Sequence, residues 1–184
     1  VKLFTTNFHS YEIYEVKKSK FIAHLFPYRD FEKILKSLKI EHPKARHFVY
    51  AFRYLNEFQQ IVEGSSDDGE PKGTSGKPTL NVLIGHNLIN IGIITVRYFG
   101  GIKLGTGGLV KAYSSSANLV VNSSELFEYI EKEKKIFQIG YSDISKFEYQ
   151  ISKLNISILS KEFNESGGVF ILEGDRESFG KLKT

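Results

Sequence analysis

The sequence predicts an α+β protein of two domains, residues 1–124 and 125–184. Three observations point there. Strand-like alternation and helix-like spacing of apolar residues both occur, in segments of ordinary length. After Asn122 the pattern changes and restarts as a βαββα run. The charge also divides at this place. Residues 1–124 carry 16 Lys+Arg against 10 Asp+Glu, a net +6, and residues 125–184 carry 9 against 11, a net −2, which together make the chain's +4. A length of 184 residues suits one ordinary domain or two small ones.

The opening reads as two strands, Tyr11–Val16 and Phe21–Tyr28, around the basic turn Lys17-Lys18-Ser19-Lys20. Asp30 stands as N-cap for a helix over Phe31–Glu41. Phe31, Ile34, Leu35 and Leu38 share one face, and Pro43 stops the run. His47–Leu55 is aromatic and β-rich, so it reads as a strand. A polar stretch follows from Asn56 to Lys77, broken only by Ile61-Val62. Loops of that length inside a domain are uncommon and usually functional.

Pro78 suits the first turn of a helix carrying Leu80, Leu83 and Ile84. Ile89–Val96 is a nearly continuous branched apolar run, which predicts a buried central strand. Arg97–Gly108 is a glycine-rich loop, and Leu109–Val121 a helix of small and apolar residues. Ser123–Glu133 reads as the end of that helix and a charged connector. Strands follow at Lys134–Tyr141, Ile156–Phe163 and Val169–Glu173. Helices are expected over Asp143–Leu154 and from Asp175 to Lys183.

Composition excludes several chemistries. There is no cysteine, hence no disulfide, no thiolate metal site and no thiol nucleophile. No window holds eighteen consecutive apolar residues, and Val1–Tyr14 lacks a signal-peptide layout. The expectation is a soluble cytoplasmic protein with no membrane contact. The five histidines show neither HxH nor HExxH spacing, and no G-x-S-x-G elbow is present. No metal and no cofactor is expected.

Two segments remain. The first runs from Arg97, Tyr98, Phe99, Gly100 and Gly101 through Lys103 to Gly105, Gly107 and Gly108, between a buried strand and a helix. Bare N–H groups and the helix dipole make such a turn an anion site, with Arg97, Lys103 and Lys111 adding charge. Equally, its glycines serve close packing. It is neither a Walker loop nor a dinucleotide fingerprint. The second segment holds Asp67, Asp68, Glu70, Thr74, Ser75 and Lys77. Its carboxylates suit a hard cation, a general base, or a flexible loop folding back onto Lys77, Arg97 or Lys103. Thr74-Ser75 is a faint nucleophile candidate. His47 reads as a base, a ligand or a core residue.

Together, SSDDGEPKGTSGKP and ITVRYFGGIKLGTGGLVKAY resemble the signature of the IMPACT family, called YigZ in bacteria. ARHFVYAFRY, with His47, resembles the family's upstream strand motif. The resemblance spans about Tyr11 to Ala117. It implies a first domain similar to the second domain of a small-subunit ribosomal protein and to domain IV of elongation factor G. It implies a ferredoxin-like second domain, βαββαβ, whose last strand is missing here. Eukaryotic relatives act in translational control through protein partners. For the bacterial branch the resemblance implies binding to nucleic acid or the ribosome.

Three functions follow. The leading one is a non-enzymatic RNA- or ribosome-binding protein. In it, Lys77, Arg97, Lys103 and Lys111 meet phosphates, the Gly100–Gly108 backbone donates N–H groups, and Tyr98 or Phe99 stacks on a base. The second is an enzyme for a phosphorylated small molecule in a cleft between the acidic and glycine-rich loops. The third is a protein-interaction adaptor in translation control.

Overall fold

The computed structural model describes every residue from Val1 to Thr184. It divides into two units, Val1–Tyr129 and Ile130–Thr184. The boundary lies beyond residue 124 because part of the expected connector is a strand. That strand, β7 (Phe127–Glu128), pairs antiparallel with β1 (Phe4–Thr5) at the start of the chain.

The first unit is built on five strands. They are β2 (Ser10–Val16), β3 (Ser19–Pro27), β4 (His47–Leu55), β5 (Ile61–Ser66) and β6 (Ile91–Tyr98). Their spatial order is β2-β3-β6-β4-β5, and every neighbouring pair is antiparallel. The apolar run at Ile91 lies in the centre, buried through Arg97, as a strand covered on both faces must be. Helix α1 (Phe31–Glu41) covers one face, where Ile34 and Leu38 pack with Ile22, Phe26, Phe48, Ile94 and Val96. Asp30 makes no side-chain bond to this helix, contrary to its expected capping role.

Helices α2 (Gly76–Gly85) and α3 (Gly105–Ser123) cover the other face. Leu80, Leu83, Ala117 and Val120 meet Ala23, Leu25, Ala51 and Ile93 there. Beside them, Leu109, Ala112 and Tyr113 of α3 meet Phe21 and Val49. No helix of the chain is long and apolar enough to cross a membrane.

Three sequence expectations change here. The stretch Asn56–Lys77 is not structureless, because β5 occupies its middle as an edge strand. Its polarity reflects half-exposure, and Gly64 lies under the Phe52 ring, where a Cβ would clash. Strand β6 runs on to Tyr98, past the expected end at Val96, while α2 begins at Gly76 with Pro78 in its first turn, as expected. The glycine-rich loop ends at Leu104, so Gly105, Gly107 and Gly108 are helical.

The second unit has β8 (Glu133–Ile139), β9 (Ile156–Asn164) and β10 (Gly167–Gly174), in the order β8-β10-β9. Helices α4 (Ile144–Ser152) and α5 (Arg176–Lys181) supply its core. Phe147, Ile151 and Phe179 pack there with Ile139, Phe170 and Leu172.

Candidate functional site

A charged residue inside a buried strand needs a partner, because an unpaired ion in the interior is strongly unfavourable. Arg97 is such a residue, 6% exposed on β6. Its partner is Glu70, 8% exposed, from the acidic segment. Arg97 Nη1 donates to both Glu70 carboxylate oxygens at 2.8 Å. Tyr113 of α3 donates its hydroxyl to Glu70 Oε2 at 2.6 Å. Burial and this bond to the carboxylate push the Tyr113 hydroxyl well above its ordinary pKa, so it remains a donor. His47 Nδ1 donates to the Asp68 carbonyl at 2.7 Å, which places Nε2 3.4 Å from Glu70. The guanidinium also lies by the rings of Phe21 and Phe99, at 5.4 and 5.6 Å.

The other carboxylates are likewise committed. Asp67 accepts the N–H groups of Gly73, Ser75 and Gly76 at 2.9, 3.2 and 2.8 Å. Desolvation raises its pKa, but these three bonds outweigh that and hold it below the usual carboxylate value. Asp68 accepts the Phe48 N–H at 2.7 Å. Thr74 donates to the Pro71 carbonyl at 2.6 Å, and its hydroxyl lies 3.0 Å from that of buried Ser75. A Cβ on Gly76 would stand 2.7 Å from the Ser66 backbone, so the segment packs tightly on β5. The acidic motif therefore fastens a loop and the start of α2 to the sheet. Among His, Asp and Glu, no group of three is placed to hold a metal ion.

Arg97 is thus directed inward, not toward a phosphate. Tyr98 corrects a second expectation. Successive strand residues face opposite sides of a sheet, and Tyr98 accordingly lies on the α1 face, its hydroxyl 2.6 Å from His42 Nδ1. Phe99 is 53% exposed. Lys77 is exposed on the first turn of α2.

The glycine-rich segment meets a part of the chain that sequence reasoning treated only as a turn. Gly100 packs on the β2–β3 hairpin so closely that a Cβ would run into the Lys18 carbonyl. Its N–H donates to Ser19 Oγ at 3.2 Å. In that hairpin Lys17 and Lys18 have φ of 46° and 65°. Such left-handed backbone costs about 1–2 kcal/mol per non-glycine residue, and Asn-Gly is the favoured pair for this turn. The Lys17-Lys18 pair between two strand-like runs was the available signal in the sequence.

This contact gathers Lys17 and Lys18 beside the segment bearing Lys103 and Lys111. All four are exposed, and none has a carboxylate within 4.0 Å. Gly101 and Gly105 take φ of 88° and 73°, which lets the chain turn into α3. The first turn of α3 has no side-chain cap. A cleft of about 260 Å³ opens here, with Lys17 and Lys111 in its lining. A larger cleft of about 850 Å³ belongs to the second unit, near Gln138, Lys146 and Lys183, and touches none of the motif residues.

A family described as the Impact N-terminal domain matches residues 17–121. The chain is 38% identical over 154 residues to an IMPACT family member of Haemophilus influenzae, covering 81% of this chain and 74% of that protein. It is 36% identical over 154 residues to IMPACT family member YigZ of Escherichia coli, with the same coverage, 81% and 74%. A solved crystal structure of a hypothetical protein superposes with a TM-score of 0.70 at 29% identity, covering 98% of this chain and 89% of that one.

Proposed function

The chain belongs to the IMPACT family, and from that premise we propose that it is a non-enzymatic cytoplasmic protein that binds RNA, free or within the ribosome, in translational regulation. The observation that carries this reading is the unpaired lysine set Lys17, Lys18, Lys103 and Lys111 around the uncapped start of α3. Unpaired ammonium groups beside bare N–H donors suit phosphate. Against the enzymatic alternative, Asp67, Asp68 and Glu70 already accept bonds from backbone N–H groups or from Arg97 and Tyr113. We read the first unit as the fold shared with ribosomal-protein and elongation-factor domains. The second is then a ferredoxin-like domain whose β8 edge stands where a fourth strand would pair.

Binding of a single-stranded RNA, measured against salt, tests the function. Each phosphate contact to a single strand adds about 0.7 to the slope of log affinity on log salt. Lys103→Ala/Lys111→Ala is expected to weaken binding and to reduce the slope by about 1.4. Absence of RNA binding at low salt, or an unchanged double variant, overturns the reading.

A further inference from the structure

The cleft beside the β2–β3 hairpin has a chemistry of its own. Tyr14, Val16, Leu104 and Ala112 line it with apolar surface. Gly108 leaves one wall without a side chain, and the only charged residues in the lining are Lys17 and Lys111. We propose that this cleft is a single-nucleotide site, in which one unpaired base of an RNA strand lodges against Tyr14 and the aliphatic walls while Lys17 and Lys111 hold the flanking phosphates. The inference rests on the RNA-binding function proposed above and names where an unpaired nucleotide goes.

Size, composition and rigidity support it. At about 260 Å³ the cleft is below the roughly 300–1,000 Å³ of sites that enclose a whole small molecule. One base is a flat apolar body of the right kind, and base–aromatic stacking needs no particular sequence. No side-chain amide, carboxylate or hydroxyl other than that of Tyr14 is in the lining to read base edges, so the site is sequence-tolerant. Two cations flanking an apolar slot match a base between two phosphates. A duplex keeps its bases stacked and paired, so it offers nothing to the slot. The lysine turn is held in left-handed backbone and braced against Gly100, so Lys17 is presented by a fixed hairpin. Strained backbone of this kind clusters at ligand-binding positions.

The test uses the full chain and fluorescence anisotropy at fixed low salt. Three probes are compared: a twelve-nucleotide single strand, the same ribose-phosphate strand without bases, and a duplex. The wild type is expected to bind the single strand about tenfold more tightly than the abasic strand. Val16→Trp, which fills the cleft and keeps both lysines, is expected to abolish that preference while abasic binding persists. Lys17→Ala/Lys111→Ala is expected to weaken both. Equal wild-type affinity for the based and abasic strands overturns the cleft assignment alone, and this comparison needs no variant. A preference that survives in folded Val16→Trp does the same. No binding to any of the three probes overturns the RNA-binding function and the cleft together.

Discussion

Glu70→Ala is the most informative perturbation of the scaffold. The Glu70 and Arg97 side chains are 3% and 7% exposed. Removing the carboxylate strips Arg97 Nη1 of its two 2.8 Å bonds and Tyr113 of its 2.6 Å bond. An uncompensated buried charge costs about 3–5 kcal/mol. The orphaned hydroxyl adds to this, although the three groups act as one unit and their losses overlap. The expected destabilisation is about 4 kcal/mol, equivalent to a fall in melting temperature of about 15 °C for a unit of this size. Two units unfold in one chain, so the assay is urea-dependent hydrogen exchange of the β6 peptide, which reports the first unit. A double replacement, Glu70→Leu/Arg97→Met, removes both charges together and should recover much of the loss. A cost below about 1 kcal/mol for Glu70→Ala would refute the scaffold role.

Lys17→Asn/Lys18→Gly relieves the left-handed turn and is expected to raise stability by about 1–2 kcal/mol while weakening RNA binding. Urea unfolding and anisotropy measure the two, and a less stable variant contradicts the account. Gly100→Ala places a methyl against the Lys18 carbonyl. Its expected cost is about 2 kcal/mol or more, with amide shift changes centred on Lys17–Ser19, and unperturbed shifts there would tell against the contact. Stability should also fall as pH drops from about 6.5 toward about 4. Burial, then the nearby charges of His9 and His42, lower His24 to about 4, so between these values the unfolded chain binds the extra proton. The stabilisation is complete above about pH 6.5, and His24→Gln should flatten this part of the profile.

Much of the fold was legible because periodicity and burial agreed. Phe31–Glu41 and His47–Leu55 form as helix and strand over the expected residues. Strand β5 was hidden because an edge strand with one exposed face carries few apolar residues. The start of α3 was hidden because glycine normally disfavours helix interiors, whereas here Gly105 to Gly108 form its first turn. The inward role of Arg97 and the opposite orientation of Tyr98 were hidden because the apolar run ends at Val96, whereas β6 continues to Tyr98 and alternates its side chains. A charged side chain sharing the buried face with Phe21 and His47 requires a nearby carboxylate. What no local pattern reveals is the meeting of Lys18 with Gly100. That contact depends on β3 pairing with β6, which brings together residues far apart in sequence.

On this reading the acidic motif is scaffold and the lysine face is the working surface. Photo-crosslinking of the full chain to RNA carrying a photoreactive base, with the crosslinked peptides identified by mass spectrometry, tests it most directly. Crosslinks are expected within Tyr14–Lys18 and Lys103–Ala112. Crosslinks confined to Asp67–Gly73 or to Ile130–Thr184 would contradict it.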